Sequence, residues 1–304
     1  MPASSPRPAA RHSETDVGAG FAALLAEWRN GGAARPPIIM GIINVTPDSF
    51  SDGGLFLDPD VAMAHGRKLA EEGAAILDVG GESTRKDAAT VSAKEEMRRV
   101  LPVIKGLGTA GVLISIDTMK PDVAAAAIAA GAHIVNDVRG LQGDPALARI
   151  AARHGAGVIA MHNPGVLGSA QAMAGDPVAG CLAFFKHSLD IARRAGIGED
   201  RIVLDPGFGF GKSPEQNLEL LRRFWELNAL GFPVLAGTSR KSFVGRVIGA
   251  ESRDRLAGTL ATNVVAALGG AAIVRVHDVA AHVDAMRMAA AIRGAGVAGA
   301  KPRT

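Results

Sequence analysis

Eight short apolar runs, separated by longer Ala-rich segments of helical period, constrain the fold of this chain more than any other feature. The runs are Ile38–Ile43, Ala75–Val79, Val112–Ile116, Ala132–Val135, Gly157–Ala160, Ile202–Leu204, Val234–Ala236 and Ala272–Val276. Each is almost continuously apolar, as a strand covered on both faces must be. Between them, helices are expected near Asp60–Glu72, Ala93–Leu107, Pro121–Ala130, Pro145–His154, Val178–Ala195, Pro214–Leu227, Arg253–Leu268 and Ala280–Arg293. Asp58-Pro59, Lys120-Pro121, Asp144-Pro145 and Ser213-Pro214 put proline in a first turn behind a polar residue, and Gly73, Gly131, Gly155 and Gly196 stand where helices end. Parallel strands need helical crossovers, so the alternation predicts an α/β fold of the (β/α)8 TIM-barrel type in a single domain. An open doubly wound sheet is the other arrangement to weigh. No G-x-G-x-x-G follows the first strand. Gly207–Ser213 imitates a phosphate-binding loop, but Pro206 takes the place of its first glycine.

The domain boundaries follow. Residues 1–35 read as an N-terminal tail, mostly disordered, with a short helix over Phe21–Trp28; 36–294 form the barrel; 295–304 are a C-terminal tail. The net charge of +3 is largely assignable to Arg7, Arg11, Lys301 and Arg303 at the ends. A nucleic-acid binder would gather basic residues on one face beside stacking aromatics. Aromatics are only 4% here and Tyr is absent, so nucleic acid is not an expected partner. No apolar run reaches the roughly 18 residues of a membrane helix, so no membrane association is expected. The N-terminus lacks a secretory signal's apolar core, and Glu14 and Asp16 argue against a transit peptide. Cys181 is the sole cysteine, which excludes an intrachain disulfide and suits the reducing cytoplasm.

Barrels of this kind carry their chemistry where strands end. The first residues past each run are Asn44, Asp78 with Glu82, Asp117, Asn136, His162, Asp205, Ser239 to Ser242, and Arg275 with His277. Any one of them is more often a helix cap or a satisfied turn. Eight in succession are harder to explain so, because converging buried polar groups are costly unless a ligand or one another satisfies them. Asp117, Asn136, Asp205 and Lys241 together complement a flat heterocycle with N–H donors and a ring carbonyl. Arg275 and His277 are two apart, face one way on a strand and can grip one anion; the alternative is a structural ion pair with Asp78 or Asp278. Ser239-Arg240-Lys241-Ser242 opens a short helical segment, either an anion site or an ordinary cap. His162 alone reads as a packing histidine. His65, His133, His154 and His187 show no metal-ligand spacing, and zinc is not expected.

The blocks Asn44–Gly54, Asp78–Arg85, Asp117-Thr118, Asn136–Val138, Asp205–Lys212, Ser239–Ser242 and Arg275–Asp278 resemble, in order, the signatures of the dihydropteroate synthase family of pterin-binding enzymes. The resemblance covers roughly residues 36–292. It implies condensation of 6-hydroxymethyl-7,8-dihydropterin diphosphate with p-aminobenzoate, giving dihydropteroate and pyrophosphate with Mg2+ assisting. It further implies that Asp117, Asn136, Asp205 and Lys241 hold the pterin. Asn44 would bind Mg2+ and, with Thr84, Arg275 and His277, the diphosphate. Arg85 joins the substrate-binding set. Ser242 would receive the aminobenzoate carboxylate, with Phe210 and Lys241 beside the aryl ring. Asp117, Lys241, Arg275 and His277 would carry the catalysis. A homodimer is the family's usual form, and the Ala-rich Ala261–Gly270 and Ala285–Ala291 faces are candidates for it, or for the core.

Two places depart from the family pattern. Lys86-Asp87 follow Arg85 where Pro-Gly is usual, so that loop's backbone must differ and sulfonamide sensitivity is expected to change. Met161-His162-Asn163-Pro164-Gly165 stands where Met-His-Met-Gln-Gly is common. Two other readings remain open: a pterin-binding paralogue without synthase activity, and a methyltransferase acting on a methylated folate.

Overall fold

A computed structural model describes residues 16–46, 58–83, 90–167, 175–251 and 254–298. Eight strands form one parallel sheet: β1 (Ile38–Asn44), β2 (Ile76–Gly80), β3 (Leu113–Asp117), β4 (Ile134–Asp137), β5 (Gly157–Met161), β6 (Ile202–Asp205), β7 (Leu235–Ala236) and β8 (Ile273–Val276). β1 pairs with both β2 and β8. The open side is joined by a bridge between Leu204 and Val234, with Leu204 N donating to Pro233 O at 3.0 Å. The sheet is thus a nearly closed barrel, and the open-sheet alternative falls away.

Every expected strand is present. β1, β3, β4 and β6 run one or two residues further than hydropathy indicates, taking in Asn44, Asp117, Asn136, Asp137 and Asp205. The reason is physical: a main-chain ladder does not stop where side chains turn polar, whereas an apolar run does. The helices are α1 (Ala19–Asn30), α2 (Pro59–Glu71), α3 (Ala93–Leu107), α4 (Pro121–Ala129), α5 (Pro145–His154), α6 (Pro177–Ala195), α7 (Pro214–Arg222), α8 (Ser242–Ile248), α9 (Leu256–Leu268) and α10 (Val279–Ala298). Asp58, Asp144 and Asp176 accept N–H groups of their own first turns, and Ser213 with Gln216 completes a capping box. The helix expected through Leu227 stops at Arg222 and continues as a 3-10 segment, Phe224–Leu230. That tighter winding buries Phe224 and Leu227, three residues apart.

Because side chains alternate along a strand, each strand serves two cores. Ile39, Ile43, Leu77, Val79, Ile114 and Val135 point outward into the layer packed by the surrounding helices. Met40, Ile76, Ile134, Ile159, Val203, Leu235 and Ile273 fill the inside, where they meet Phe21 and Leu25 of α1. The segment expected as a tail is therefore built into the barrel from residue 16 onward. Phe21 and Leu25 are fully buried, and each contributes about 1.5–3 kcal/mol by leaving water. Arg201 holds the entry by donating to Asp16 and to Gly155 O, and Arg293 donates to the carbonyls of Ala33, Arg35 and Ala267. At Gly157 a Cβ would lie 2.3 Å from the Phe21 ring, so only glycine lets α1 seat this closely.

Candidate active site

At the C-terminal end of the barrel, Asp78 is the hub. It is fully buried on β2, and its Oδ2 accepts from Asn136 Nδ2 at 3.0 Å and from Arg275 Nε at 2.6 Å. Arg275 Nη2 donates to Asp117 Oδ2 at 2.9 Å. One arginine thereby ties β8 to β2 and β3, and Asn136 brings in β4 through Asp78. Asp78 Oδ1 and its cross-strand neighbour Ser115 Oγ are buried without a protein partner among the described residues. The ion pair weighed from the sequence thus exists with Asp78, and it includes Asp117. It still leaves Arg275 Nη1 free of protein bonds among the described residues, so anchoring and anion binding are compatible.

The electrostatics follow from burial. Asp117 is pushed up to about 7, first by burial and then by the charges of Asp78 and Glu96, while Arg275 and Lys241 oppose the rise. Burial likewise raises Asp205, although its Oδ1 accepts from Gly207 N at 2.7 Å. The Lys241 amine is brought down to about 8 by burial and by Arg275, with Asp205 and Asp117 pulling the other way. It stands 4.2 Å above the centre of the Phe210 ring, a cation–π pairing between the loops that follow β6 and β7. A Cβ at Gly209, whose φ is +79°, would come within 3.2 Å of Lys241 Cδ.

Burial holds His277 well below the usual imidazole range, reinforced by Arg240, Arg275, Lys241 and His65. Its Nδ1 lies 2.9 Å from Ser239 Oγ, which also accepts from the His277 N–H at 3.2 Å. With its oxygen accepting there, the Ser239 hydroxyl is free to donate to Nδ1. In that arrangement the proton sits on Nε2, from which it can be donated to an anion; the same contact also fits the tautomer with Nδ1 donating to Ser239 Oγ. Asn44 ends β1 half-buried; a Cβ at Gly80 would lie 3.6 Å from Asp117 Cβ and 4.0 Å from Asn44 Oδ1, so Gly80 separates the two. Ser242 follows Lys241 as the exposed first residue of α8.

His162 is a packing residue, as expected: its Nδ1 lies 3.2 Å from Cys181 Sγ, its ring meets Phe184 edge-on, and burial brings it down to about 3. Thr84, Arg85, Lys86 and Asp87, and the Asp48–Gly54 stretch, lie outside the described residues. Asp117, Asn136, Asp205, Lys241, Phe210, Arg275, His277 and Asn44 all lie at the one barrel end. Sequence reasoning missed three groups. Asp78 was visible as a strand-end carboxylate and as an ion-pair alternative for Arg275, but not as the hub that also binds Asn136. Lys120 binds Glu82 at 2.6 Å and the buried Glu96, and Glu82 also accepts from Val91 N. Lys212 donates to the carbonyls of His162, Gly207 and Phe210, stapling the loops after β5 and β6. No local pattern announces a partner that is dozens of residues away. Among the described residues no three His, Cys, Asp or Glu groups cluster as a metal site, and no helix is long and apolar enough to cross a membrane.

Residues 40–277 match the family described as pterin binding enzyme. A dihydropteroate synthase from Synechocystis is 44% identical over 261 residues, covering 84% of this chain and 89% of its own. That of Bacillus subtilis is 44% identical over 80% and 84%. Among solved structures, dihydropteroate synthase of Clostridium difficile, obtained in the presence of pteroic acid, is 47% identical with a TM-score of 0.80, covering 85% of this chain and 97% of that one. The Xanthomonas albilineans enzyme with 4-aminobenzoic acid is 46% identical with a TM-score of 0.78, over 88% and 95%.

Proposed function

The chain belongs to the pterin-binding enzyme family, and from that premise we propose that it is a transferase of folate biosynthesis. It condenses 6-hydroxymethyl-7,8-dihydropterin diphosphate with p-aminobenzoate to give 7,8-dihydropteroate and pyrophosphate. The observation that carries this reading is the convergence of Asp117, Asn136, Asp205 and Lys241 on the Asp78–Arg275 network, in a chain whose relatives are dihydropteroate synthases.

Asp117 and Asp205 accept from the pterin's ring N–H and amino groups, while Asn136 and Lys241 meet its remaining acceptors. The diphosphate lies toward Arg275, with its uncommitted Nη1, and toward His277, which donates from Nε2. Departure of the diphosphate builds negative charge on the leaving oxygen and positive charge on the pterin methylene. Arg275 and His277 stabilise the first where it develops, and the Asp117 carboxylate offsets the second. The amine of p-aminobenzoate then attacks the methylene and gives up one proton to solvent, its ring beside Phe210 and its carboxylate at Ser242. No covalent intermediate on the protein is required. Mg2+ fits the oxygen donor of Asn44, since this ion prefers oxygen ligands and retains waters and phosphate oxygens; when bound it would neutralise diphosphate charge.

We further propose a cytoplasmic homodimer. Val265 and Leu268 on α9 and Met288 and Ile292 on α10 are large apolar residues left 44–64% exposed on neighbouring helices, which suits a partner surface. The decisive measurement is pyrophosphate release from purified protein, pterin diphosphate, Mg2+ and p-aminobenzoate. Release dependent on all three additions is expected; its absence overturns the reading.

A further inference from the structure

β7 and β8 share a main-chain ladder only at Leu235 opposite Ile273 and Ala236 opposite Val274. Carried three residues further, that register sets Ser239 opposite His277, and one more sets Arg240 opposite Asp278. Side chains bond in this same register. Ser239 Oγ reaches His277 Nδ1 at 2.9 Å, and the Arg240 guanidinium makes a two-pronged pair with Asp278, at 2.7 Å from Nη2 and 3.2 Å from Nε. Beyond the last ladder bond, side chains hold the two segments together. One segment goes on into Lys241 and Ser242; the other contains Arg275 and His277.

Arg240 is also unusual in its backbone. Its φ is +55°, and Leu141 is the only other non-glycine with a positive φ among the described residues. A Cβ residue stays in the left-handed region only if its surroundings over-determine it. Here they do. Arg240 N donates to Thr259 Oγ1 at 3.1 Å, and Arg240 O accepts from Arg255 Nη1 at 3.1 Å. Two residues earlier, the buried Thr238 hydroxyl lies 2.8 Å from both Asn263 Oδ1 and Thr262 Oγ1. All four partners come from α9 or its first flank, so this helix is a shelf for the turn. The turn closes with Lys241 N donating to Thr238 O at 3.2 Å. Right-handed backbone at Arg240 would carry Lys241 off the Phe210 ring.

We propose that Arg240 and Asp278 are a positioning pair. Their contact holds the left-handed turn that aims Lys241 and, through the shared register, keeps the Ser239–His277 contact closed. The pair touches no reacting atom. This rests on the reading of Lys241 and His277 as substrate-binding groups, and the competing role for Arg240 is that of a direct anion ligand.

Three variants separate these roles. Arg240→Ala removes the pair and leaves a residue that resists the left-handed turn; a misplacement of this kind costs about 100-fold in kcat/KM. Arg240→Gly also removes the pair but adopts the turn freely, and should recover about 10-fold of that loss. Asp278→Asn weakens the same contact and should lower kcat/KM in the same direction, and the double variant should be no worse than Arg240→Ala. A direct anion ligand predicts otherwise: Gly as poor as Ala, and Asp278→Asn with unchanged or tighter pyrophosphate binding. A merely structural pair predicts a lower melting temperature with kcat/KM unchanged. Either pattern overturns the proposal. Amide exchange at Lys241, expected to be at least about 10-fold faster in Arg240→Ala than in wild type, reads the turn without turnover. Should the wild-type protein release no pyrophosphate, the proposed reaction fails, while unchanged exchange in Arg240→Ala would overturn the pair on its own.

Discussion

The two halves of the barrel interior are built on the same strands and do opposite things. In the half near the strands' N-termini, Met40, Ile76, Ile134, Val203 and Ile273 close around Phe21 and Leu25. Two residues on, the inward positions become Ile42, Asp78, Asn136, Asp205 and Arg275. Two residues along a strand is about 6.6 Å, so the change from hydrocarbon to ion network is made within a single pleat repeat. The lower half is filled by its own side chains. In the upper half, buried oxygens of Asp78 and Ser115 lack partners among the described residues, and burial raises Asp117 to about 7 and lowers Lys241 to about 8. One half is packed hydrocarbon, with Trp28 Nε1 a buried donor lacking a partner among the described residues, and gives the fold its stability; the other gathers unbalanced charge, which suits it to bind a ligand.

The division is tested most severely by removing its largest charge. Arg275→Ala should lower kcat/KM by about 100- to 1,000-fold, the usual loss when a transition-state donor is deleted. It also leaves Asp78 and Asp117 facing each other, so Asp117 takes up a proton more readily and urea stability falls by less than the about 3–5 kcal/mol typical of an orphaned buried charge. A stability loss as large as the activity loss would mean that the upper half is part of the core. The reciprocal change is Phe21→Ala, which empties a fully buried site under the barrel. It should cost about 3–5 kcal/mol in a urea titration with kcat of the folded enzyme unchanged. A kcat that fell with it would show the lower half shaping the chemistry above.

The asymmetry also decides how much could be read beforehand. The fold was legible because apolar runs and Pro-headed helices are local signals: α3 and α5 fall on their expected bounds, and the strands within two residues. The purpose of α1 was not, since the spacing of Phe21, Leu25 and Trp28 marks an apolar face without saying what it covers. The members of the site were legible as polar strand ends, but of their bonds only the Arg275–Asp78 pair was weighed from the sequence. Arg275 meets Asp78 and Asp117 across 197 and 158 residues, and only the closed barrel brings them together. The left-handed backbone of Arg240 was equally silent, because arginine carries no turn signal of its own.

A pH profile sharpens the comparison without altering the fold. Asp117 must be ionised to offset charge on the pterin, and its raised value gives an acid limb near 7, activity rising with pH. Lys241 must be protonated, and its lowered value gives an alkaline limb near 8, activity falling as pH rises. The optimum in kcat/KM should therefore be narrow, between those limbs. Asp117→Asn should abolish the acid limb and Lys241→Met the alkaline one, each with a lower plateau. A plateau that stayed flat from pH 6 to 9 in the wild type would show that neither group governs the reaction.

The smallest expected effect probes how tightly the upper half is pre-set. Gly209 has φ of +79°, and an added methyl would lie 3.2 Å from Lys241 Cδ, with Gly209 N already donating to Asn217 Oδ1 at 2.7 Å. Gly209→Ala meets two costs: a backbone that an L-residue resists, at about 1–2 kcal/mol, and a flexible side chain that must yield a few tenths of an ångström. Lys241 can give way only by sliding over the Phe210 ring, away from where it serves the aryl substrate. KM for p-aminobenzoate should rise about threefold and that for the pterin diphosphate by less, because Lys241 serves both while Asp117, Asn136 and Asp205 stay in place; a shift of that size is below 1 kcal/mol. Equal rises in both KM values would mean that the aryl and pterin ends of the pocket move as one body. A larger rise in the first would show the ion network holding its shape while one loop above it adjusts.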